Sequence, residues 1–131
     1  MRGEDAADGG YMGSILAIED DRTVGLVLEH VLGTAGHRVR LARGVADGRG
    51  ALAEGRYDLI LLDLNLPDGS GLDLLRTIRE EVGGSVPVLV LSGMRQEETV
   101  VRGLRLGADD FVTKPFSPLE LLARVDRWIK R

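Results

Sequence analysis

One stretch of this sequence constrains the fold more than any other. Residues 57–63 read Tyr-Asp-Leu-Ile-Leu-Leu-Asp, and residues 64–71 read Leu-Asn-Leu-Pro-Asp-Gly-Ser-Gly. The apolar run is too short for a helix and ends in turn-forming residues, so it predicts a strand buried on both faces of a parallel sheet. Asp63 ends this strand at the carboxyl edge of the sheet, where open α/β sheets bind their ligands. Taken alone, Asp63 is equally consistent with an acidic cap on a turn.

The rest of the chain alternates short apolar strands with segments of helical periodicity. Further strands are predicted at residues 14–18, 37–41, 86–91 and 110–113. Helices are predicted around residues 24–32, 45–54, 72–79, 97–106 and 117–130. Five strands alternating with five helices predict an α/β fold with a doubly wound parallel sheet, because crossover connections are almost always right-handed.

Length, charge and cysteine content exclude several classes of protein. At 131 residues and 44% hydrophobic content, the chain suits one domain with a real core. The net charge of -4 argues against a nucleic-acid-binding face, and no apolar run approaches membrane-spanning length. The chain has no cysteine, so a reducing cytoplasm is its natural setting. Residues 1–13 are rich in Gly and Asp and lack the features of a secretion signal, so we expect a flexible leader before a domain at 14–131.

Reactive side chains follow four of the five predicted strands. They are Glu19 and Asp20, then Asp63, then Ser92, then Lys114. Crowded carboxylates repel one another unless a cation lies between them, and oxygen ligands favour a hard ion such as Mg²⁺. The pattern therefore predicts a magnesium-dependent site for phosphoryl transfer.

The chemistry of that site suggests a role for each group. Asp63 is the nucleophile, because a carboxylate needs no deprotonation at neutral pH and forms an acyl phosphate. Ser92 and Lys114 would bind the transferred oxygens. The alternatives are structural: Asp20 or Asp21 could simply cap the first helix, Ser92 a turn, and Lys114 could lie on the surface.

Five motifs identify a family that the chain resembles over nearly all of residues 14–131. They are residues 15–20 (ILAIED), 58–63 (DLILLD), 66–69 (LPDG) with Gly71, 91–92 (LS) and 107–116 (GADDFVTKPF). Together they resemble the receiver domain of two-component response regulators, and the last motif is the most specific. The resemblance implies a flavodoxin-like fold with strand order 2-1-3-4-5. It also implies a regulator that is not an enzyme beyond self-catalysed phosphotransfer and slow autodephosphorylation, and whose donor is a sensor histidine kinase or a phosphotransfer protein.

The resemblance also implies roles for individual residues. Asp63 would be the phosphoacceptor, and the ligands of Mg²⁺ would be Glu19, Asp20, Asp63 and the backbone carbonyl of Asn65. Lys114 would contact the phosphoryl group, and the bond between Lys114 and Pro115 is expected to be cis.

Two further pairs take their expected roles from the same resemblance. Ser92 and Phe111 would form the switch pair, although Phe111 is also compatible with an ordinary core residue. Asn65 and Met94 would flank the path of the attacking water and tune hydrolysis of the phosphorylated form.

The C-terminal third most resembles the winged-helix, DNA-binding class of response regulators. Such receivers commonly dimerise through the fourth helix, fifth strand and fifth helix, and Asp110 and Arg124 match one charged pair of that interface. Thr99 and Val100 replace the usual acid and base, so Glu120 lacks its usual partner. Apolar residues on the fourth and fifth helices predict contact with a second receiver or an effector. We expect no membrane contact and no nucleic-acid contact by this domain itself.

Two rival functions share parts of this pattern. An aspartate-nucleophile phosphohydrolase typically resembles Asp-x-Asp, but Asn65 stands at the second position and cannot donate and recover a proton. A flavodoxin-like nucleotide binder needs stacking residues, whereas aromatics are only 4% of this chain. His30 and His37 lack a second ligand at metal spacing, so we interpret both as ordinary structural residues.

Overall fold

A parallel sheet of five strands forms the centre of the molecule. The computed structural model describes residues 13–82, 85–93 and 97–129. The strands are β1 (Ser14–Ile18), β2 (Arg38–Ala42), β3 (Leu59–Asp63), β4 (Val88–Ser92) and β5 (Asp110–Thr113). They pair in the order β2-β1-β3-β4-β5, and every pair is parallel. The predicted α/β fold and its strand order are confirmed.

Five helices connect the strands. They are α1 (Arg22–Thr34), α2 (Val45–Glu54), α3 (Gly71–Glu81), α4 (Glu97–Leu106) and α5 (Pro118–Trp128). The bounds of α2 and α4 agree with the prediction. The other helices begin where capping groups lie: the Asp21, Ser70 and Ser117 side chains accept backbone N–H groups at the starts of α1, α3 and α5. Within the described part of the chain, no helix combines the length and apolarity that crossing a bilayer requires.

Each face of the sheet buries its own apolar core. Alternate residues of a strand point to opposite faces, so Leu16 and Ile60 pack with α2 and α3, whereas Ala17 and Leu61 pack with α1 and α5. All five residues of β3 are buried. This explains why the β3 sequence is a continuous apolar run and not an alternating one.

Some boundaries differ from the prediction. β4 begins at Val88, because Pro87 has no N–H to donate to the ladder and contributes only its carbonyl, which accepts the Ile60 N–H. At its other end β4 includes Ser92, which pairs with Thr113. Gly13, assigned above to the leader, is buried, and its carbonyl accepts the N–H of Arg38. Residues 1–12 lie outside the described residues.

A short antiparallel ladder between β3 and α3 was not predicted. Asn65–Leu66 pairs with Gly69–Ser70, and the Gly71 N–H donates to the Leu64 carbonyl at 3.0 Å. Two-residue strands carry too few residues to show a period of two in the sequence. The ladder folds the chain back at the end of β3, directly beside Asp63.

Gly71 lies where this ladder meets the backbone of β3. A Cβ at Gly71 would lie 2.5 Å from the Asp63 carbonyl oxygen and 2.5 Å from the Leu64 Cα. We expect Gly71→Ala to lower the free energy of unfolding by about 1–3 kcal/mol, because backbone atoms cannot rotate away as side chains do.

Gly50 provides the matched control in urea unfolding. It lies within α2, and a Cβ there meets nothing within 4 Å. Gly50→Ala should raise the free energy of unfolding by about 0.5–1 kcal/mol, since Gly is a poor helix former. Equal effects of the two substitutions would contradict the close approach at Gly71.

Candidate functional site

Three carboxylates meet at the carboxyl edge of the sheet. Glu19 and Asp20 directly follow β1, Asp63 ends β3, and one oxygen of each lies within 4.8 Å of the others. Glu19 is 2% exposed and Asp63 is 5% exposed, while Asp20 is exposed. Parallel neighbouring strands explain the convergence, because β1 and β3 pair directly and end at the same edge.

Asp21 takes the capping role that the sequence left open between two residues. Its Oδ1 accepts the Val24 N–H at 3.0 Å, which satisfies a free donor in the first turn of α1. Its own N–H donates to Glu19 Oε2 at 3.1 Å. One residue thus starts the helix and orients the buried carboxylate, while Asp20 remains with the acidic cluster.

Lys114 bridges the two buried carboxylates. Its Nζ lies 2.6 Å from Glu19 Oε1 and 3.4 Å from Asp63 Oδ2. Burial raises the pKa of Glu19, and the bonds from Lys114 and the Asp21 N–H offset this only in part. Burial alone would lower the pKa of Lys114, but its bond to Glu19 and the charge of Asp63 raise it, so the ammonium stays protonated.

The predicted switch residues lie on one face of the sheet. Ser92 is buried and pairs in register with Thr113, and Phe111 pairs with Val90, two residues earlier on each strand. The Phe111 ring is half-buried against α4, where a Cβ on Gly103 would lie 2.5 Å from its Cζ. The Ser92 carbonyl accepts the Lys114 N–H at 2.9 Å, so the hydroxyl residue and the ammonium residue are joined through their backbones.

Of the two residues predicted to tune hydrolysis, the structure describes only Asn65. Asn65 is exposed in the short ladder, and its N–H donates to Asp63 Oδ1 at 3.2 Å. Met94 lies outside the described residues. The peptide bond between Lys114 and Pro115 is cis, as expected.

An open cleft of about 490 Å³ borders the acidic cluster at Asp20, the member of the cluster that lines it. Asp20, Asn65 and Pro67 line one part of it, and Thr99 of α4 lines another. Thr99 was considered above only as a departure from a dimer pattern, since no local signal in the sequence predicted that it would line the same cleft as Asp20.

The donor set is suited to a hard divalent cation. Three carboxylates and one ammonium leave the cluster with an excess of negative charge, and two of the carboxylates are buried. Removing carboxylates from water is costly unless a cation compensates them. Among the described residues, neither His30 nor His37 belongs to this group of acids. His37 is buried and directly precedes β2.

Asp68 forms a contact in this region that the sequence did not predict. Its carboxylate accepts the Val45 and Ala46 N–H groups at 2.7 and 3.0 Å, at the start of α2. The contact joins residues that are 23 and 22 positions apart, so no local periodicity predicts it.

Comparison with known proteins points to one family. The family model described as "Response regulator receiver domain" matches residues 15–126. The chain is 41% identical over 111 residues to the transcriptional regulatory protein DltR of Streptococcus agalactiae, covering 85% of this chain and 49% of DltR. It is 42% identical over 117 residues to the transcriptional regulatory protein CusR of Escherichia coli, covering 89% of this chain and 51% of CusR. The chain therefore spans about half the length of these curated relatives.

Solved structures agree with this similarity. The structure described as the BeF3-activated DrrB receiver domain is 35% identical, with a TM-score of 0.82, and the match covers 92% of this chain and 99% of that one. The chemotaxis protein CheY4 of Vibrio cholerae is 27% identical, with a TM-score of 0.85 and coverage of 90% and 99%. The predicted resemblance to receiver domains is thus confirmed, and the transcriptional regulators among the relatives agree with the expected closeness to the DNA-binding class.

Proposed function

Because this chain belongs to the response regulator receiver domains of two-component signalling, we propose that Asp63 accepts a phosphoryl group in a magnesium-dependent step. The observation that carries the proposal is the convergence of Glu19, Asp20 and Asp63 with the Lys114 ammonium at one sheet edge. We place this exchange in the cytoplasm, as expected for a chain without cysteine.

Each group of the site has a defined task in the transfer. A carboxylate oxygen of Asp63 attacks phosphorus, and the bond from phosphorus to the donor breaks, so the electron pair of that bond leaves with the donor. The Asn65 N–H on Asp63 Oδ1 helps to orient the nucleophile. Lys114 would neutralise a phosphoryl oxygen, and its distance of 3.4 Å from Asp63 Oδ2 supports this role.

The metal would be held by the side chains of Glu19, Asp20 and Asp63 and by the Asn65 carbonyl. When bound, Mg²⁺ supplies charge neutralisation for the phosphoryl oxygens. Glu19 is pre-oriented for this role, since the Asp21 N–H holds one of its oxygens.

One experiment separates this function from that of a phosphohydrolase. The protein is incubated with Mg²⁺ and acetyl phosphate, and intact mass is followed together with released phosphate. A phosphoacceptor gains about one acid-stable, base-labile phosphoryl group per chain, as expected for an acyl phosphate. Sustained release of phosphate over many turnovers would instead identify a phosphohydrolase.

The conformational response would pass from Ser92 to Phe111. We infer that the phosphoryl group draws the Ser92 hydroxyl toward it and that Phe111 turns inward into the space released. Because Phe111 has no hydroxyl, packing alone sets its position, and its contact with Gly103 couples that position to α4.

The lifetime of the phosphorylated state is assigned to Asn65 and Met94. The exposed Asn65 amide can orient an attacking water by hydrogen bonding, whereas Met94 offers only a weakly accepting thioether. A single polar positioning group predicts slow autodephosphorylation, which fits a regulator and not an enzyme.

The partners would be a sensor histidine kinase or phosphotransfer protein as donor, and an effector as receiver of the signal. DltR and CusR are transcriptional regulators about twice as long as the matched region. A DNA-binding effector is therefore the natural partner, with no nucleic-acid contact by this domain itself.

The contact surface would include exposed apolar residues of both α4 and α5. Leu121 and Val125 of α5 are buried core residues, as is Ile129 directly after the helix, but Leu119 at the start of α5 is 80% exposed. Val101 and Leu104 of α4 are 37% and 49% exposed. The charged pair anticipated for a dimer lies within one chain, since both Asp110 carboxylate oxygens contact Arg124 at 2.9 and 3.0 Å. The Trp128 indole also donates to Asp110.

We therefore expect Leu104→Arg to weaken self-association of the beryllofluoride-activated protein by about tenfold or more, because the interface would bury an unpaired charge. Sedimentation velocity with and without beryllofluoride measures the effect. Leu26→Arg is the matched control, since Leu26 is 60% exposed on α1. An unaltered dimer in Leu104→Arg would exclude this surface, and activated wild-type protein that stays monomeric would point to the effector instead.

A further inference from the structure

The loop after the phosphoacceptor strand is tied to a distant helix by one carboxylate. Asp68 lies at the turn of the short ladder, between Leu66 and Gly69, which pair with each other. Its Oδ1 accepts the Val45 N–H at 2.7 Å, and its Oδ2 accepts the Ala46 N–H at 3.0 Å. The bond from Val45 has the length of a charge-assisted hydrogen bond, and the bond from Ala46 has an ordinary N–H···O length.

These bonds replace an ordinary cap at the start of α2. The first N–H groups of a helix have no partner within the helix. The N-cap residue of α2 is Gly44, which has no side chain to accept them. A Cβ on Gly44 would lie 2.5 Å from Asp68 Oδ1, so the carboxylate fills the space that a side chain would need. The two N–H donors hold the pKa of Asp68 below its usual range, which keeps it charged.

The other end of the loop is held beside the nucleophile. Asn65 pairs with Ser70 in the ladder, and the Asn65 N–H donates to Asp63 Oδ1 at 3.2 Å. The Ser70 hydroxyl accepts the Leu72 and Asp73 N–H groups at the start of α3. The base of the loop is therefore anchored to β3 and α3, and Asp68 anchors its tip to α2.

We propose that Asp68 is a positioning residue that ties this loop to α2 and thereby holds the Asn65 carbonyl and N–H in place for metal binding at Asp63. The inference rests on the proposed function, since it assigns a support to the same site. Asp68 touches neither the metal nor the phosphoryl group in this account. It acts by limiting the motion of the ladder that carries Asn65.

Three variants separate the tether from charge and from helix capping. Asp68→Ala removes the tether and one negative charge. Gly44→Ala retains the charge but displaces the carboxylate from the Val45 and Ala46 N–H groups. Asp47→Ala removes the same charge and another bond at the same helix end, because Asp47 Oδ2 accepts the Arg43 N–H at 3.0 Å, but it leaves the loop tethered.

Calorimetric titration of each folded variant with Mg²⁺ tests the proposal. We expect Asp68→Ala and Gly44→Ala each to weaken Mg²⁺ binding by about three- to tenfold, less than the roughly 10–100-fold effect of groups that contact a metal ligand directly, because Asp68 acts through the loop. Asp47→Ala should stay within about twofold of wild type. Asp68→Asn keeps one acceptor oxygen and should fall between wild type and Asp68→Ala.

The outcomes decide separately on the tether and on the function. Wild-type affinity in Asp68→Ala, equal losses in Asp68→Ala and Asp47→Ala, or no loss in Gly44→Ala would each overturn the tether while leaving the magnesium site intact. If wild-type protein binds no Mg²⁺ and takes up no phosphoryl group from acetyl phosphate, the proposed function fails, and this inference fails with it.

Discussion

Asp63→Asn should abolish phosphorylation by acetyl phosphate, taking the protein from about one phosphoryl group per chain to none, because an amide is not a competent nucleophile for acyl phosphate formation. The substitution retains the shape of the side chain and its acceptor for the Asn65 N–H, so the fold should persist. Intact-mass spectrometry after incubation with Mg²⁺ and acetyl phosphate gives the result directly.

Asp73→Asn provides the control for this experiment. Asp73 lies in the first turn of α3, is exposed, and its loss changes the net charge by the same amount. We expect Asp73→Asn to be phosphorylated like the wild type. Retained uptake by Asp63→Asn would show that another residue accepts the phosphoryl group and would remove the basis of the site.

Parallel-sheet topology explains why the location of the candidate site was largely predictable from sequence. Once 59–62 is taken as a strand buried on both faces, its neighbours must also be strands whose carboxyl ends meet at one edge. Glu19, Asp63, Ser92 and Lys114 then converge without any knowledge of side-chain conformation, and the structure places them there.

Contacts that depend on side-chain reach could not be predicted in the same way. The Lys114 Nζ lies 2.6 Å from Glu19 and 3.4 Å from Asp63. Which of the two acids is closer depends on the conformation of a flexible side chain, and the sequence does not specify that conformation. Asp110 and Arg124 matched a pair expected between two chains, yet they are close enough in the fold to pair within one.

Gly103 carried a signal that sequence reasoning did not use. Glycine within a helix costs about 1 kcal/mol relative to alanine, so a close neighbour is one reason for a glycine in α4, although Gly50 of α2 has no such neighbour. The structure identifies the neighbour of Gly103 as the Phe111 ring. The short ladder at 65–70 carried no such signal because its strands have only two residues each. The cap provided by Asp68 carried none because it joins residues 22 and 23 positions apart.

Asp20→Asn should weaken Mg²⁺ binding by at least about tenfold, because a neutral amide oxygen replaces a charged ligand in a site built from carboxylates. Phosphorylation at low Mg²⁺ concentration should fall with it and recover as Mg²⁺ is raised. Asp20 is the exposed member of the cluster, so this loss should come without a large change in stability. Calorimetric titration and the rate of phosphorylation at several Mg²⁺ concentrations measure the two effects.

Asp21→Asn is the matched control, since it removes the neighbouring negative charge. The Asn side-chain oxygen can still accept the Val24 N–H, as Asp21 Oδ1 does, and so can still cap α1. The N–H of this residue can still hold Glu19 Oε2, because that bond comes from the backbone. Binding within about twofold of wild type is therefore expected for Asp21→Asn, the remaining difference being long-range charge that salt screens. Equal losses in the two variants at high salt would mean that Asp20 contributes only general negative charge, and EDTA-resistant phosphorylation of the wild type would remove the metal from the reaction.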